Sequence, residues 1–355
     1  MKALFLAGGN GSRLQPLTNK VPKPMVPIMN KPLLERTMIN LKKSGISEIV
    51  ISNCYKPYYI RDYFGNGKEL GLKIQYIVED LPMGTGGAVK KAESQFDESF
   101  IVFNSDILSN MDIKKMMDFH KSKHALVTIA VTEVQNPSMY GVIEYDQRDY
   151  AISFTEKPKQ EQITSKHINA GIYIFEPEIF RQIPANCVVS LERDIFPKIL
   201  EKGGKIAVYK SSDYWMDIGT PEKYMQAHMD IMDKKCRLFD SYFGREKVIC
   251  GKNTSIHPDA EIVGLAYIGD NVKIDAKALI SYSVIGSNSY IAKGSTVIGS
   301  IVWEDVIINR GTWLMNTIVL SNCVIGRNQE FLDTVVADEI NQTIAMEKRL
   351  QQAVI

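Results

Sequence analysis

The sequence predicts an α/β protein in two parts: a mostly parallel sheet with helices on both faces, followed by a coil of short parallel strands. Residues 1 to about 235 alternate β-rich runs with stretches of helical periodicity, an order typical of parallel sheets. After residue 250 an aliphatic residue recurs at every sixth position, a period that neither a helix nor a simple strand needs. We expect a catalytic domain over 1–235 and a linker over 236–250.

The first part contains strand-like runs separated by helical stretches. The strand-like runs are Lys2–Leu6, Glu48–Asn53, Lys73–Val78, Phe100–Asn104 and Ala125–Val131. The helical stretches are Leu33–Ser44, Pro57–Phe64, Gly86–Ser94 and Ile113–Lys123. Because ligands of such sheets bind at the carboxyl ends of the strands, we expect the functional site at that edge.

The second part carries its period of six in four successive series separated by slips of phase. These are Ile256, Ile262, Ile268, Ile274 and Ile280, then Ile285, Ile291 and Val297, then Ile301, Ile307 and Trp313, followed by Ile318 and Val324. A triangular prism explains the period, because each hexad supplies one side and points its aliphatic residue to the axis. We expect this coil over 251–328 and a helical cap over 329–355.

Composition excludes several partners. The 42 basic and 41 acidic residues give a net charge of +1, so no strong field favours nucleic acid or an anionic membrane. The five cysteines are scattered without metal-ligand spacing, as a reducing compartment permits. Neither a signal peptide nor an apolar run of membrane-spanning length is recognisable. We therefore expect a cytoplasmic protein with no nucleic-acid or membrane partner.

A glycine-rich loop follows the first predicted strand directly. Gly8, Gly9 and Gly11 can turn backbone N–H groups toward a polyphosphate, and Arg13 and Lys23 can add charge-assisted hydrogen bonds. The spacing is neither G-x-G-x-x-G nor that of the P-loop. A tight turn after a strand would use the same glycines, so the loop alone leaves a structural role open.

The stretch from Leu6 to Glu35 resembles the signature of the sugar-1-phosphate nucleotidyltransferases, reading LAGGNGSRLQPLT, PKPM and KPLLE. The coil resembles the hexapeptide repeats of left-handed β-helices, and the combination is found in this family. The resemblance implies a Rossmann-like, mixed, mostly parallel sheet followed by a left-handed parallel β-helix. It also implies an enzyme that joins a nucleoside triphosphate to a sugar-1-phosphate and releases pyrophosphate.

The same resemblance assigns the nucleotide side of the site. It makes Gly8, Gly9 and Gly11 the phosphate cradle, Arg13 the contact of the β- and γ-phosphates, and Lys23 the cation at the α-phosphate. It also makes Leu6 a nucleotide-binding residue. It assigns the base pocket to Glu79, Gly84 and Thr85. Glu79 stands where several relatives have glutamine, and this departure leaves the base open.

The same resemblance also assigns the metal and sugar sites. Asp106 and Asp217 match the family's two metal aspartates, and Mg²⁺ is the expected ion because it prefers oxygen ligands and keeps several waters. Gly141, Glu156, Lys157 and Asn169 match the residues that bind the sugar phosphate. A carboxylate and an amide suit hydroxyls, which both donate and accept hydrogen bonds.

Three segments look most like mannose-1-phosphate guanylyltransferases: Asn136–Gly141, Ile168–Phe175 and Trp215–Gly219. The resemblance favours GTP and mannose-1-phosphate as substrates and GDP-mannose as product. The run Gly84–Gly87 departs from the G-T-A-G of that group and looks more like bacterial enzymes that use heptose- or glucose-type phosphates. Glucose-1-phosphate with UTP or dTTP is the alternative pair.

Other classes of function are less consistent with the sequence. An acyltransferase coil would need a catalytic histidine, and the coil offers only His257. A non-catalytic regulatory subunit would be expected to lose Lys23, Asp106 or Asp217, which are present. We read His120 and His124 as surface residues, and we expect a homo-oligomer.

Overall fold

The computed structural model describes residues 1–239 and 247–337, and the backbone of 342–345. The chain forms two compact units. The first consists of Met1–Asn10, Val21–Met25 and Leu33–Asp217, and the second of Gly11–Lys20, Val26–Pro32 and the chain from Ile218 onward. Within the part of the chain described, no helix has both the length and the apolar character needed to cross a membrane.

The strands and helices of the N-terminal two thirds alternate, as predicted. The strands are β1 (Ala3–Ala7), β2 (Pro27–Ile28), β3 (Lys31–Pro32), β4 (Glu48–Asn53), β5 (Lys73–Val78), β6 (Phe100–Asn104), β7 (Ile107–Ser109), β8 (Val127–Glu133), β9 (Gly141–Tyr145), β10 (Ala151–Glu156), β11 (His167–Phe175), β12 (Ile206–Lys210) and β13 (Trp215–Asp217). The helices are α1 (Leu33–Lys43), α2 (Pro57–Phe64), α3 (Gly84–Lys91), α4 (Ile113–Lys123), α5 (Phe196–Glu201) and α6 (Pro221–Met232).

The sheet of the first unit is parallel at its centre and mixed at one side. Strand β1 pairs in parallel with β4 and β6, and β4 pairs in parallel with β5. Strand β11 is antiparallel to both β6 and β8. The register places Ala7 opposite Asn53 and Leu6 opposite Asn104. The loops that leave β1, β4 and β6 therefore start at one edge of the sheet, which confirms the predicted arrangement.

Two apolar clusters hold the helices on this sheet. Alternate β1 residues serve the two faces, since Phe5 packs in one cluster and Leu4 in the other. Both side chains are fully buried, and each such burial stabilises the fold by about 1.5–3 kcal/mol. The strands that carry the loops are consequently fixed from both faces.

His120 lies in this core, so its prediction as a surface residue is wrong. It shares the buried face of α4 with Ile113 and Met116. Its Nε2–H donates to Glu176 Oε1 over 2.9 Å, and its Nδ1 lies 2.7 Å from Thr128 Oγ1. His120 follows Ile113 and Met116 at helical spacing, but because histidine is polar the sequence analysis did not count it with the apolar face. His124, at the end of the helix, is exposed.

Stability should fall on mild acidification because of this histidine. Burial lowers the pKa of His120, against the opposing effect of Glu176. The unfolded chain takes up a proton near pH 6.5 that the folded chain resists, so the free energy of unfolding falls as pH drops below about 6.5. Denaturant unfolding at about pH 7.5 and about pH 5.5 should show a smaller acid loss in His120→Gln than in wild type. An equal loss in both would contradict this, and His124→Gln is the exposed control.

The C-terminal part is a solenoid of short strands. They are β14 (Val248–Cys250), β15 (Ser255–Ile256), β16 (Glu261–Ile268), β17 (Lys273–Ile274), β18 (Leu279–Ile285), β19 (Tyr290–Ile291), β20 (Thr296–Ile298), β21 (Ile301–Val302), β22 (Ile307–Ile308), β23 (Trp313–Met315), β24 (Ile318–Val319), β25 (Val324–Ile325), β26 (Glu330–Leu332), β27 (Thr334–Ala337) and β28 (Gln342–Ala345). Strands of successive turns pair in parallel, as between β19 and β22 and between β18 and β21. The predicted parallel β-helix is thus confirmed as a fold.

Successive turns stack with a repeat of 17 or 18 residues. Asn253, Asn271, Asn288 and Asp305 occupy one corner with positive φ angles, which asparagine and aspartate tolerate better than most residues. Their side chains form a ladder of hydrogen bonds 3.0–3.1 Å long across steps of 17 or 18 residues. Three short sides therefore make one turn.

The phase predicted for the later turns is wrong by one residue. The inward positions there, all fully buried, are Val302, Ile308, Leu314, Val319 and Ile325. Of the residues predicted to point inward there, Ile307, Trp313 and Val324 are instead 40%, 44% and 61% exposed, whereas Ile301 and Ile318 are buried beside Val302 and Val319. After Val297 the inward position shifts by five residues rather than four, at a corner where Gly299 adopts a φ of 56°.

The predicted helical cap over 329–355 is not helical where the structure describes it. Strands β26 and β27 continue the coil in parallel with β23 and β24. Strand β28 then pairs antiparallel with β27. Residues 338–341 and 346–355, where the rest of the predicted cap falls, lie outside the described residues, as do 240–246 of the predicted linker.

The segment Val26–Pro32 belongs to the second unit through specific hydrogen bonds. Tyr224 of α6 donates its hydroxyl proton to the Pro27 carbonyl oxygen over 2.7 Å. The Met29 N–H donates to His228 Nε2 over 3.2 Å, and Asn30 Nδ2 donates to the Ile285 carbonyl over 3.0 Å. A short N-terminal segment is thereby held by α6 and the coil.

Candidate functional site

The glycine loop begins where β1 ends. A Cβ atom on Gly8 would lie 3.4 Å from Glu79 Oε1 and 3.7 Å from Cys54 Cβ, whereas one on Gly9 would meet nothing within 4 Å. Without side chains, both residues leave their backbone N–H groups open to close approach by a ligand. Leu6 lies in the preceding strand. Gly8 and Gly9, which belong to the first unit, can therefore form their part of the predicted phosphate cradle.

The remaining loop residues belong to the second unit. Gly11 has a φ of 66° and precedes a 3₁₀ turn over Ser12–Leu14. Thr18 Oγ1 donates to the Gly11 carbonyl over 2.9 Å, which secures this turn. Arg13 is exposed on it. The role of Arg13 at the β- and γ-phosphates stays a prediction.

Lys23 and Asp106 form an ion pair within the first unit. Lys23 begins a 3₁₀ turn over Lys23–Met25, in which the Met25 N–H donates to the Pro22 carbonyl. Asp106 sits between β6 and β7. The side chains are 12% and 27% exposed, so both charges remain reachable by a ligand. The structure therefore brings together two predicted residues that are 83 positions apart.

Asp217 lies beside this pair. Strand β13 runs antiparallel to β7 and places Asp217 opposite Ile107, the residue after Asp106. Tyr140 donates its hydroxyl proton to Asp217 Oδ1 over 2.8 Å. The Tyr140 ring in turn packs edge-on against Trp215 at 5.6 Å. Tyr140 therefore orients the carboxylate of Asp217, a contact that the sequence analysis did not predict.

The two aspartates suit a divalent cation. Among the residues that the structure describes, no three His, Cys, Asp or Glu side chains are grouped to hold a metal ion. Two carboxylates, one of them opposite the residue that follows the other, nevertheless suffice for a hard cation that keeps waters and substrate oxygens as its other ligands. The role of Asp106 and Asp217 as ligands of Mg²⁺ stays a prediction.

Glu79 lies next to the glycine loop and is almost fully buried. Ser52 Oγ donates to Glu79 Oε1 over 2.8 Å, and the Met83 N–H donates to Oε2 over 3.2 Å. A carboxylate offers about four acceptor positions, so each oxygen keeps capacity for a ligand. Burial of this acceptor beside Gly8 makes it a candidate for base recognition.

The start of α3 packs closely against the chain near Val189. Gly84 has a φ of 74°, and a Cβ there would lie 2.5 Å from the Val189 carbonyl oxygen. The N–H groups of Gly86 and Gly87 donate to that oxygen over 2.9 and 3.2 Å. Thr85 Oγ1 donates to Glu192 Oε2 over 2.6 Å. The Thr85 hydroxyl therefore makes a hydrogen bond within the protein. Its contact with the nucleotide stays a prediction.

The predicted sugar residues meet where β9, β10 and β11 adjoin. Gly141 pairs with Glu156, and a Cβ on Gly141 would lie 2.9 Å from Glu156 Oε2. Burial and the nearby charge of Glu192 raise the pKa of Glu156. Lys157 Nζ lies 3.9 Å from Glu156 Oε1. Asn169 follows Ile168, which pairs with Val142, so all four predicted residues lie at one end of these strands.

A glycine loop at the end of a central parallel strand, two aspartates on adjoining segments and a paired lysine fit an enzyme that acts on nucleotide phosphates. Comparison with known proteins agrees. Residues 2–234 match the family described as Nucleotidyl transferase. The chain belongs to this family.

Characterised relatives resemble the chain over most of its length. A mannose-1-phosphate guanylyltransferase of Mycobacterium tuberculosis is 34% identical over 274 residues, covering 77% of this chain and 76% of the relative. A UTP–glucose-1-phosphate uridylyltransferase of Synechocystis is 33% identical over 306 residues, covering 80% and 79%. The structure of HddC from Yersinia pseudotuberculosis complexed with GMP-PN is 34% identical with a TM-score of 0.55, covering 64% of this chain and 97% of that one.

Proposed function

We propose that this enzyme transfers a guanylyl group from GTP to mannose-1-phosphate, forming GDP-mannose and pyrophosphate. The observation that carries the choice of base is the buried carboxylate of Glu79 beside Gly8. Guanine presents a ring N–H and an exocyclic amino group side by side, both of them donors. A carboxylate only accepts, so it matches this pair of donors.

Pyrimidine bases fit the same carboxylate poorly. The Watson–Crick edge of uracil or thymine has one N–H between two carbonyl oxygens, and a carboxylate facing that edge meets at least one acceptor. An unmatched buried acceptor costs about 1–3 kcal/mol. The relatives named as guanylyltransferases and the relative that holds GMP-PN support the same choice.

The reaction needs positioning and charge neutralisation more than a protein nucleophile. An oxygen of the sugar phosphate attacks the α-phosphorus of GTP, the bond to the β-phosphate oxygen breaks, and pyrophosphate leaves. Gly8 and Gly9 offer N–H groups to the phosphates, and Lys23 neutralises charge at the α-phosphate. Asp106 and Asp217 would hold Mg²⁺, which supplies further charge neutralisation when bound.

We place the sugar phosphate against β9, β10 and β11. Glu156 and Asn169 bind sugar hydroxyls, Gly141 offers its N–H, and Lys157 contacts the phosphate. Lys157 is about half exposed, which suits a cation that a mobile anionic substrate must reach. We further propose a cytoplasmic homo-oligomer, supported by the scattered cysteines and by the exposed apolar residues on the coil.

A second candidate is uridylyl or thymidylyl transfer to glucose-1-phosphate. It is supported by the uridylyltransferase relative and by Gly86, which replaces the alanine of the usual guanylyltransferase run. The test is pyrophosphate release with Mg²⁺ across the four ribonucleoside triphosphates and dTTP, each with mannose-, glucose- and N-acetylglucosamine-1-phosphate. Activity with GTP and mannose-1-phosphate supports the proposal, whereas preference for UTP or dTTP with glucose-1-phosphate would replace it. If the folded protein released no pyrophosphate in any combination, a regulatory subunit would be favoured.

Glu79→Gln should weaken the preference for guanine. The amide retains one acceptor and turns a donor toward the base, so one guanine contact is lost and a pyrimidine carbonyl gains a partner. We expect kcat/KM for GTP to fall by about tenfold to a hundredfold, and the ratio of GTP to UTP activity to fall further. Competition assays with both triphosphates measure this ratio. An unchanged ratio would remove Glu79 from base recognition; Glu93→Gln, on an exposed turn, is the control.

A further inference from the structure

The segment 188–192 forms a clasp over the start of α3. The Val189 N–H donates to the Met83 carbonyl over 3.0 Å, and the Val189 carbonyl accepts from Gly86 and Gly87. The Leu191 N–H donates to Thr85 Oγ1 over 2.9 Å. The predicted base-pocket loop is therefore built jointly by residues 83–87 and this clasp.

Glu192 is the charged group at the end of the clasp. Its Oε2 accepts from Thr85 Oγ1 over 2.6 Å and from Ser190 Oγ over 2.7 Å. Its Oε1 accepts from the Tyr173 hydroxyl over 3.1 Å. The two oxygens thus reach two different elements: the nucleotide loop on one side and strand β11 on the other.

Tyr173 extends the chain of hydrogen bonds to the sugar side. Its side chain is fully buried, and its hydroxyl accepts from Asn169 Nδ2 over 2.8 Å. Asn169 Oδ1 accepts from the Gly171 N–H over 2.9 Å. These two contacts fix which end of the amide faces which partner. Burial and the Glu192 charge raise the pKa of Tyr173 well above its usual value, so the hydroxyl stays a donor.

We propose that Glu192 is a positioning residue that couples nucleotide binding to sugar-phosphate binding through the relay Thr85–Glu192–Tyr173–Asn169. The proposal rests on the proposed function of this site. Movement of Thr85 when a nucleotide occupies the loop shifts the carboxylate, and the carboxylate orients Asn169 through Tyr173. Only a group with acceptors at both ends can hold both donors.

Glu192→Gln tests the relay because the amide has one acceptor end. In the variant, the NH₂ group faces either the hydroxyls of Thr85 and Ser190 or the hydroxyl of Tyr173, and the hydrogen bonds on that side are lost. We expect KM for the sugar-1-phosphate to rise about tenfold with kcat changed less than about threefold, since a hydrogen bond to a charged group contributes about 1.5–3 kcal/mol. Tyr173→Phe should give the same split, and the double variant should add nothing further.

Binding measured directly separates coupling from general damage. In wild type, a non-hydrolysable GTP analogue should lower the Kd for mannose-1-phosphate. In Glu192→Gln, the ratio of the Kd values without and with the analogue should be much closer to one. Glu176→Gln is the matched control, because Glu176 also accepts from a serine, Ser99, and from a buried side chain, His120, away from the relay. It should lower stability and leave the coupling intact.

The outcomes distinguish the relay from the proposed function. The relay would be overturned if Glu192→Gln kept the kinetics and coupling of the unaltered protein, or if it changed them only as Glu176→Gln does. In either case, activity of the unaltered protein would still support the proposed function. If wild type makes no nucleotide sugar, the function fails, and amide hydrogen exchange of the ligand-free protein decides the relay. Faster exchange at both 83–87 and 169–171 in Glu192→Gln but not in Glu176→Gln supports it, and unchanged exchange overturns it.

Discussion

Asp106→Asn is expected to lower kcat by about a thousandfold with little loss of folding. The amide keeps the shape and one acceptor but removes the negative charge that would hold the divalent ion beside Asp217. Charge stabilisation by such an ion contributes several kcal/mol to the transition state, and about 4 kcal/mol corresponds to a thousandfold. The side chain is only partly buried and pairs with Lys23, so the change in free energy of unfolding should be small. Steady-state kinetics and thermal unfolding measure the two effects.

A metal titration separates this role from simple disruption of the ion pair. The Mg²⁺ concentration for half-maximal activity should rise in Asp106→Asn, and Asp217→Asn should shift it in the same direction. Asp112→Asn is the control, because Asp112 also follows β7 but caps α4 by accepting from the Lys115 N–H, a task that asparagine performs equally well. Wild-type turnover in Asp106→Asn would remove Asp106 from the metal site.

Local signals predicted the parallel sheet well, and they predicted which loops start at one edge of it. The runs at Lys2–Leu6 and Phe100–Asn104 became parallel neighbours, because short β-branched and aromatic runs separated by helices leave few alternatives. Asp106 could be placed at this edge because it follows β6, whereas the pairing of Lys23 with Asp106 depends on the 3₁₀ turn over Lys23–Met25, which the sequence pattern did not predict. Juxtaposition of Asp217 could be expected only through the family resemblance, since 111 residues of chain separate it from Asp106.

The phase of the coil was ambiguous in the sequence itself. Two apolar residues stand side by side at Ile307-Ile308, Trp313-Leu314 and Val324-Ile325. Either member of each pair satisfies a period of six, and a single misplaced corner moves every later residue to the other face. The structure resolves this through the register of Ile291 with Ile308 and of Ile308 with Ile325, which no local pattern contains.

Buried polar contacts were the least predictable part of the site. Thr85 and Glu192 are 107 positions apart, and Glu192 lies in a segment with no motif of its own. His120 misled for the opposite reason, since a polar residue at an apolar helical position is buried only when partners such as Thr128 and Glu176 satisfy it. Long-range hydrogen bonding decides both cases, and a single sequence does not encode it locally.

Lys23→Met is expected to lower kcat/KM by about a hundredfold to a thousandfold. Methionine preserves the aliphatic stem but removes the cation that we propose neutralises the α-phosphate and the leaving pyrophosphate, and loss of one such stabilising group typically has an effect of this size. The turn that carries the residue is held by the Met25 N–H bond to Pro22, so the backbone should keep its position. Steady-state kinetics with GTP measure the effect, and Lys43→Met at the exposed end of α1 is the control.

The double variant decides whether Lys23 acts on the substrate or only on Asp106. If Lys23 merely holds Asp106, then Lys23→Met adds nothing once Asp106 is already Asn. If Lys23 neutralises phosphate charge directly, the two losses combine to exceed either single loss, although contact between the residues keeps the sum below full additivity. We expect the second result, because the mostly buried ammonium group of Lys23 can turn from one carboxylate oxygen to a phosphate oxygen without leaving its turn. Kinetics of Lys23→Met equal to those of wild type would exclude both roles.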